Sequence, residues 1–299
     1  MSMEAIKPIT ATPRQPKKLR QRLAVGALLG RTTLHTALWI VALIQIFPLV
    51  WLINYSLLKS GDFFGSSLLK WPKSLEWQNY HNAFTYGSVP RFLLNSLIIT
   101  TITILVAAVL SLMLSYAFSR MEWKLRGTTL SFIMLGMIVP IHATLLPNFI
   151  LFDQLSLIDN PLSLILPYIA FSLPISTLII SGFLETIPRS IEESAVMDGC
   201  SVFGVIFRII LPMTKPAIAT VCIMNFISWW NEFIMANTFL TSESFKTLPF
   251  SIMKFAGQYS SNYGAQFAVM TMIALPTVIT YLLFTEQMSR GITAGAVKG

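Results

Sequence analysis

Charge is scarce in this 299-residue chain. Only 11% of its residues are Asp, Glu, Lys or Arg, against roughly 25% in ordinary soluble domains. Hydrophobic residues make up 54% and the mean hydropathy is +0.67, so the solvent for most of the chain is a lipid bilayer. Cysteine is nearly absent: Cys200 and Cys222 are the only two, which offers no disulfide framework. Histidine is limited to His35, His81 and His142, scattered and without metal-ligand spacing, so no metal is expected. The chain has no G-x-x-x-x-G-K-[ST] loop; its ending "GITAGAVKG" is merely glycine-rich. No cofactor is therefore expected in this chain, and any ATP drive must come from partner subunits. A membrane-embedded enzyme is disfavoured because no cluster of reactive groups converges.

A helix needs about 20 apolar residues to cross the hydrocarbon core. Six regions qualify, approximately 34–58, 92–118, 129–152, 162–184, 217–240 and 266–288. Lys and Arg divide unequally between the connecting segments: fifteen of the 21 fall on one side, at the N-terminus, around 120–126, within 188–216 and at the C-terminus. The positive-inside rule then makes both termini cytoplasmic. These charges are spread among loops rather than gathered on one face, which argues against nucleic acid as a partner. The expected organisation is a basic, disordered cytoplasmic tail over 1–31, a six-span domain over 32–288 and a cytoplasmic tail over 289–299.

The segment "PRSIEESAVMDGCSVFGVIFRIILPMTKP", residues 188–216, is too polar for lipid and too patterned for a slack linker. Ser190 and Glu193 have the spacing of a capping box, which predicts a helix start. Asp198-Gly199 predicts its stop, since glycine enters the left-handed region without steric penalty. A second helix is expected from Ser201 to Pro212.

Glu193, Ala195, Gly199, Ile209, Leu211 and Pro212 resemble the "EAA" loop of ABC-importer permeases: E-A-A, three residues, G, nine residues, I-x-L-P. Ser194 departs from the first Ala of that pattern. "NSLIIT" (95–100), "MIVPIHATLLPNFILF" (137–152), "WNEF" (230–233) and the C-terminal "GITAGAVKG" are similar to the shorter, six-span partner of the maltose-type carbohydrate permease pair. The resemblance covers residue 34 to the end. It implies an all-α polytopic protein whose cytoplasmic helix-turn-helix, with Glu193, Ser194, Ala195, Asp198, Gly199, Ile209, Leu211 and Pro212, docks on an ATPase. It also implies a second permease, two ATPase subunits holding ATP and Mg, an extracytoplasmic solute-binding protein and a sugar or oligosaccharide substrate, all at the inner membrane. Arg290 and Lys298 become candidate ATPase contacts, although they also satisfy the positive-inside rule unaided.

Within the fifth region Asn225, Ser228, Trp229 and Glu232 follow i, i+3, i+4, i+7 and share one helical face. An intramembrane carboxylate avoids lipid and faces a bundle interior or a wet cavity. An aromatic plate beside amide and carboxylate groups suits a sugar; a polar contact between helices is the plainer alternative. His142, after Pro140, reads as a histidine bonded to a freed carbonyl or as a substrate contact. Residues 241–267 form the external connection, either a solvated hairpin or, by the resemblance, a loop that probes the binding protein. The rival of another class is an ion-coupled secondary transporter of a polar solute. It would favour inverted repeats and buried acidic pairs, of which none is visible.

Overall fold

The structure, a computed structural model, describes residues 17–63, 70–257 and 261–296, with side chains described at 30–285 within those ranges and at 287. The chain divides into two units, 1–52 and 53–299. The first is built on helix α1 (Lys17–Ser56). The basic tail expected to be disordered as far as 31 is therefore helical from Lys17, where the prolines of the leading segment give way to Leu, Ala, Lys and Arg, all good helix formers. Residues 1–16 lie outside the described residues. Leu38, Trp39, Leu43 and Ile44 of α1 are exposed.

The second unit continues with α2 (Gln78–Tyr86), α3 (Val89–Arg120), α4 (Arg126–Leu135), α5 (Leu145–Gln154), α6 (Leu162–Leu184) and α7 (Arg189–Met197). There follow α8 (Val202–Gly204), a π-helical stretch Val205–Ile210, α9 (Leu211–Met213), α10 (Lys215–Trp230), α11 (Ile234–Phe239) and α12 (Tyr263–Ala296). No strand occurs among the described residues; Ala256 and Ser261 form a single bridge.

Among the described residues four helices are long and apolar enough to cross a bilayer, or five if Val202–Met213 and Lys215–Trp230, bent by 80°, count as one span. Six unbroken spans are thus not what forms. Region 129–152 is interrupted between α4 and α5, because Pro140 is extended (φ −65, ψ 125) and donates no N–H to a continuing helix. Region 217–240 is interrupted at 231–233, between α10 and α11.

The centre of the bundle is the contact of α3 with α6. Ala107, Ala108, Ser111 and Ser115 on α3 and Ser172, Ser176 and Thr177 on α6 are buried, small enough to let two backbones approach where lipid gives no hydrophobic drive. Ser115 Oγ donates to Thr177 O at 3.0 Å. Helix α12 joins through Trp230 Nε1, which donates to Ile273 O at 3.0 Å. Thr220 Oγ1 donates to Gln287 O at 2.9 Å. Buried Asn79 of α2 donates to Ser56 O at 2.9 Å and Leu58 O at 2.8 Å. A Cβ at Gly264 would lie 2.5 Å from that amide, so the approach of α12 to α2 requires glycine.

The connection 241–267 is no solvated hairpin. Thr247, Leu248, Phe250 and Ser251 are buried. Asn95 Nδ2 donates to Ser244 O and Lys246 O, both at 2.9 Å, and Ser96 Oγ accepts from Leu248 N at 2.8 Å. Asp159 Oδ1 accepts from Ser242 N at 2.8 Å and Thr241 N at 3.0 Å, bonds that hold its carboxyl below the usual range, Ser242 foremost.

Helix α7 starts differently from the capping-box expectation. Pro188 is its N-cap (φ −60, ψ 133), with no side-chain cap. Ser190 already lies inside the helix, where its carbonyl accepts from Ser194 Oγ at 2.8 Å. The stop forms as expected: Gly199 has φ 82. Gly199 N donates to Val196 O and Cys200 N to Ala195 O, both at 2.9 Å, the paired bonds of a Schellman turn. Ser201 caps the next helix by accepting from Gly204 N at 3.2 Å. That helix runs to Met213, one residue past Pro212, before the chain turns at Thr214.

Two outcomes follow from these turns. A Cβ at Gly199 meets nothing within 4 Å, so Gly199→Val acts through backbone strain alone, about 1–3 kcal/mol. Amide exchange at 199 and 200 should accelerate about tenfold or more in that variant with α3 and α6 unchanged, while Gly199→Asn, which tolerates the left-handed region, has a smaller effect. For Asp159 the folded pKa is depressed, so its anchoring is complete above the unfolded value of about 3.9 and is lost as pH falls through the lower folded value. Corrected for intrinsic rate, exchange at 241 and 242 should stay flat from about pH 7 to 5 and rise below about 4; Asp159→Asn should remove that step.

Candidate functional site

A cavity of about 600 Å³ is lined by Ile141, His142, Phe171, Ile175, Asn225, Ser228, Trp229 and residues 231–234. All four residues expected on one face of the fifth region, Asn225, Ser228, Trp229 and Glu232, reach it. Helix α10 ends at Trp230, however, so Glu232 stands in the break and not on the same helix.

The break explains the carboxylate. Glu232 Oε1 accepts from Met235 N at 2.7 Å, and Oε2 accepts from Ala236 N at 3.2 Å and from Tyr168 Oη at 2.6 Å. It satisfies two backbone donors at the start of α11, which no intrahelical carbonyl reaches, and its charge suits that end of the helix dipole. Its main contacts are thus within the chain.

The aromatic plate is double. Tyr168 and Trp229 stack with ring centroids 4.3 Å apart and planes at 11°. Trp229 Nε1 donates to Ser172 Oγ at 2.9 Å, and Asn225 Nδ2 donates to Ser176 Oγ at 3.3 Å. Locked in this way, Trp229 presents a fixed edge to the cavity. Ser228 is exposed and donates to Met224 O at 3.0 Å, keeping acceptor lone pairs. His142 is exposed in the short 3-10 turn Ile141–Thr144; the expectation that it bonds a freed carbonyl is not met, since its ring bonds no group among the described residues. None of the lining residues is Lys or Arg. Sequence reasoning missed Tyr168, Ser172 and Ser176, although their spacing of four along α6 marks a polar stripe on one helical face.

At the α7 end of the bundle Glu193, Ser194, Asp198, Gly199 and Pro212 are exposed, while Ala195, Ile209 and Leu211 are half-buried. Val196, Met197, Val202 and Phe203 are exposed apolar neighbours. The buried acid of this helix is Glu192, not Glu193: its Oε1 lies 2.7 Å from Arg120 Nε, with both side chains less than a tenth exposed. The N–H does not point along that line, so the contact is chiefly Coulombic. Arg290 falls in α12 with its side chain outside the described set, and Lys298 lies outside the described residues.

Residues 107–290 match the family described as "Binding-protein-dependent transport system inner membrane component". A putative ABC transporter permease, ORF2, of Caldicellulosiruptor sp. is 35% identical over 88% of this chain and 94% of its own. The trehalose/maltose transport system permease MalG of Thermococcus litoralis is 31% identical over 91% and 98%. The sulfoquinovosyl glycerol transport system permease SmoH of Agrobacterium fabrum is 30% identical over 85% and 89%. A crystal structure of a bacterial ABC transporter involved in import of the acidic polysaccharide alginate shares the fold, with a TM-score of 0.72 at 21% identity over 92% of this chain and 99% of that one. The chain belongs to the family of binding-protein-dependent transport system inner membrane components, as a multi-pass permease subunit of an ABC importer.

Proposed function

We infer that this permease carries a sugar or oligosaccharide into the cytoplasm by alternating access, working with a second permease, two ATPase subunits that bind ATP and Mg, and an extracytoplasmic binding protein. The observation that carries the substrate class is the cavity: a rigid aromatic edge, amide and hydroxyl groups, and no cationic side chain. Sugar C–H faces stack on aromatic rings and sugar hydroxyls need such partners. Relatives named for trehalose/maltose and sulfoquinovosyl glycerol transport point the same way.

Both termini and the α7–α9 turn belong on the cytoplasmic side by their Lys and Arg content. There the exposed Glu193, Val196, Met197 and Phe203 offer a mixed apolar and acidic face to the ATPase, with Arg290 and Lys298 as further contacts. The segment 241–267 faces the binding protein. A bacterial alginate ABC transporter solved in complex with its alginate pentasaccharide-bound periplasmic protein has the same fold, which supports a binding protein as partner. ATP-driven closure of the ATPases then moves α7 and reorients the spans.

The test is reconstitution. This chain alone in proteoliposomes should neither hydrolyse ATP nor accumulate sugar, whereas the four-subunit assembly with binding protein does both; ion-driven accumulation by the chain alone refutes the reading. For the cavity, Ser228→Cys and Asn231→Cys in a background lacking Cys200 and Cys222 should react with small aqueous thiol reagents, with sugar slowing the reaction. Trp230→Cys, at a position 1% exposed, should not react. Trp229→Ala should lower uptake about tenfold, the equivalent of about 1.4 kcal/mol, with assembly intact.

A further inference from the structure

The geometry points to Arg120 as the positioning residue that makes α7 move as one body with the ends of α3 and α6. This rests on the reading that α7 docks on the ATPase. Arg120 is the last residue of α3. One nitrogen of its guanidinium donates to Leu184 O, the terminal carbonyl of α6, and to Ile187 O in the linker, both at 2.7 Å. Its Nε stands 2.7 Å from Glu192 Oε1 on α7. A reciprocal bond runs the other way: Arg189, the first residue of α7, donates to Ser119 O at 3.2 Å. Three chain ends thus meet on a single planar cation.

The covalent link from α6 to α7 is only 185–188, and a short non-helical linker bends by backbone rotation. Without a cross-tie, a push on α7 is absorbed there. The guanidinium closes that degree of freedom, because it holds the linker's own Ile187 carbonyl together with the helix on each side. Tyr116, one turn earlier on α3, lines the 360 Å³ cleft shared with Arg120, Arg189, Glu192, Glu193, Val196 and Met197, so the cluster borders the docking face without being part of the exposed patch. Arginine suits the geometry: one nitrogen of its plane reaches both carbonyls while Nε lies against the carboxylate, where a lysine ammonium offers a single point charge.

A buried ion pair is weak evidence of stability as such. Replacing both partners with apolar groups is often neutral, whereas removing one leaves a buried charge. The test uses that asymmetry in the assembled transporter. The variants are Arg120→Lys, which keeps the charge and loses the fork, and the double variant Arg120→Met/Glu192→Met, which removes both charges. The readouts are co-purification of the ATPase, basal ATP hydrolysis, and hydrolysis with the purified binding protein carrying its retained ligand.

A positioning role predicts that the double variant retains the ATPase and keeps basal hydrolysis within twofold, while stimulation by the binding protein falls at least fivefold; Arg120→Lys falls about threefold. Should the double variant fail to assemble, Arg120→Lys decides: reduced stimulation supports the inference, and parental stimulation overturns it. Parental stimulation in both variants overturns it as well. Met197→Asp distinguishes the underlying reading, since it should release the ATPase outright. If Met197→Asp keeps the ATPase bound and coupled, the docking surface is wrong, whatever Arg120 does.

Discussion

In a bilayer every backbone donor and acceptor must find its partner inside the protein, and a helix that stops within the bundle or at its edge leaves groups that still need one. The chain breaks between α6 and α7, at 231–233 and between α4 and α5, and two of these three breaks carry a dedicated ionisable side chain. Arg120 serves the carbonyls at the end of α6, and Glu232 serves the amides that open α11. The signs are as helix dipoles require: the cation sits at a C-terminus and the anion at an N-terminus. Two charged side chains are therefore spent on irregular backbone, and irregular backbone is what borders the cavity and the α7 turn.

The cavity wall shows how rigidity is built from a small number of polar bonds. Tyr168 donates to Glu232 and stacks on Trp229, which donates in turn to Ser172. Ser172 donates to the carbonyl of Tyr168 at 2.7 Å, closing the loop. Each ring is fixed at its polar end and by its face, so the edge that borders the cavity is ordered by the chain's own contacts. Ordering costs on binding fall accordingly.

Much of this was legible in the sequence where the signal is local. The left-handed stop at Gly199 follows from one residue type, and the convergence of Asn225, Ser228 and Trp229 follows from helical spacing. Glu232 was found for a partly mistaken reason. Its spacing matches the face of α10, but that helix ends two residues earlier, and the carboxylate instead accepts from the amides that open α11. The capping box failed through competition: Pro188, with φ already fixed, takes the N-cap position and leaves Ser190 inside. Glu192 against Glu193 was beyond reach, since adjacent residues on a helix differ by about 100° in direction and only the placement of Arg120, 72 positions away, says which one is buried. Tyr168 was hidden for the same reason, its partner Glu232 being 64 positions distant.

Helix α3 spans 32 residues, about 48 Å at the standard rise, well beyond the ~30 Å hydrocarbon core. Near one end Asn95 and Ser96 grip the segment 244–248, and at the other Arg120 grips α6 and α7. No proline interrupts it after Pro90. It behaves as a stiff strut with a handle at each tip, the handles separated by about 38 Å. A tilt of about 5° around its middle carries the two tips some 1.7 Å in opposite directions, the size of ordinary helix shifts in switching proteins. What happens on one surface of the membrane is then geometrically registered on the other without any bond between them being made or broken.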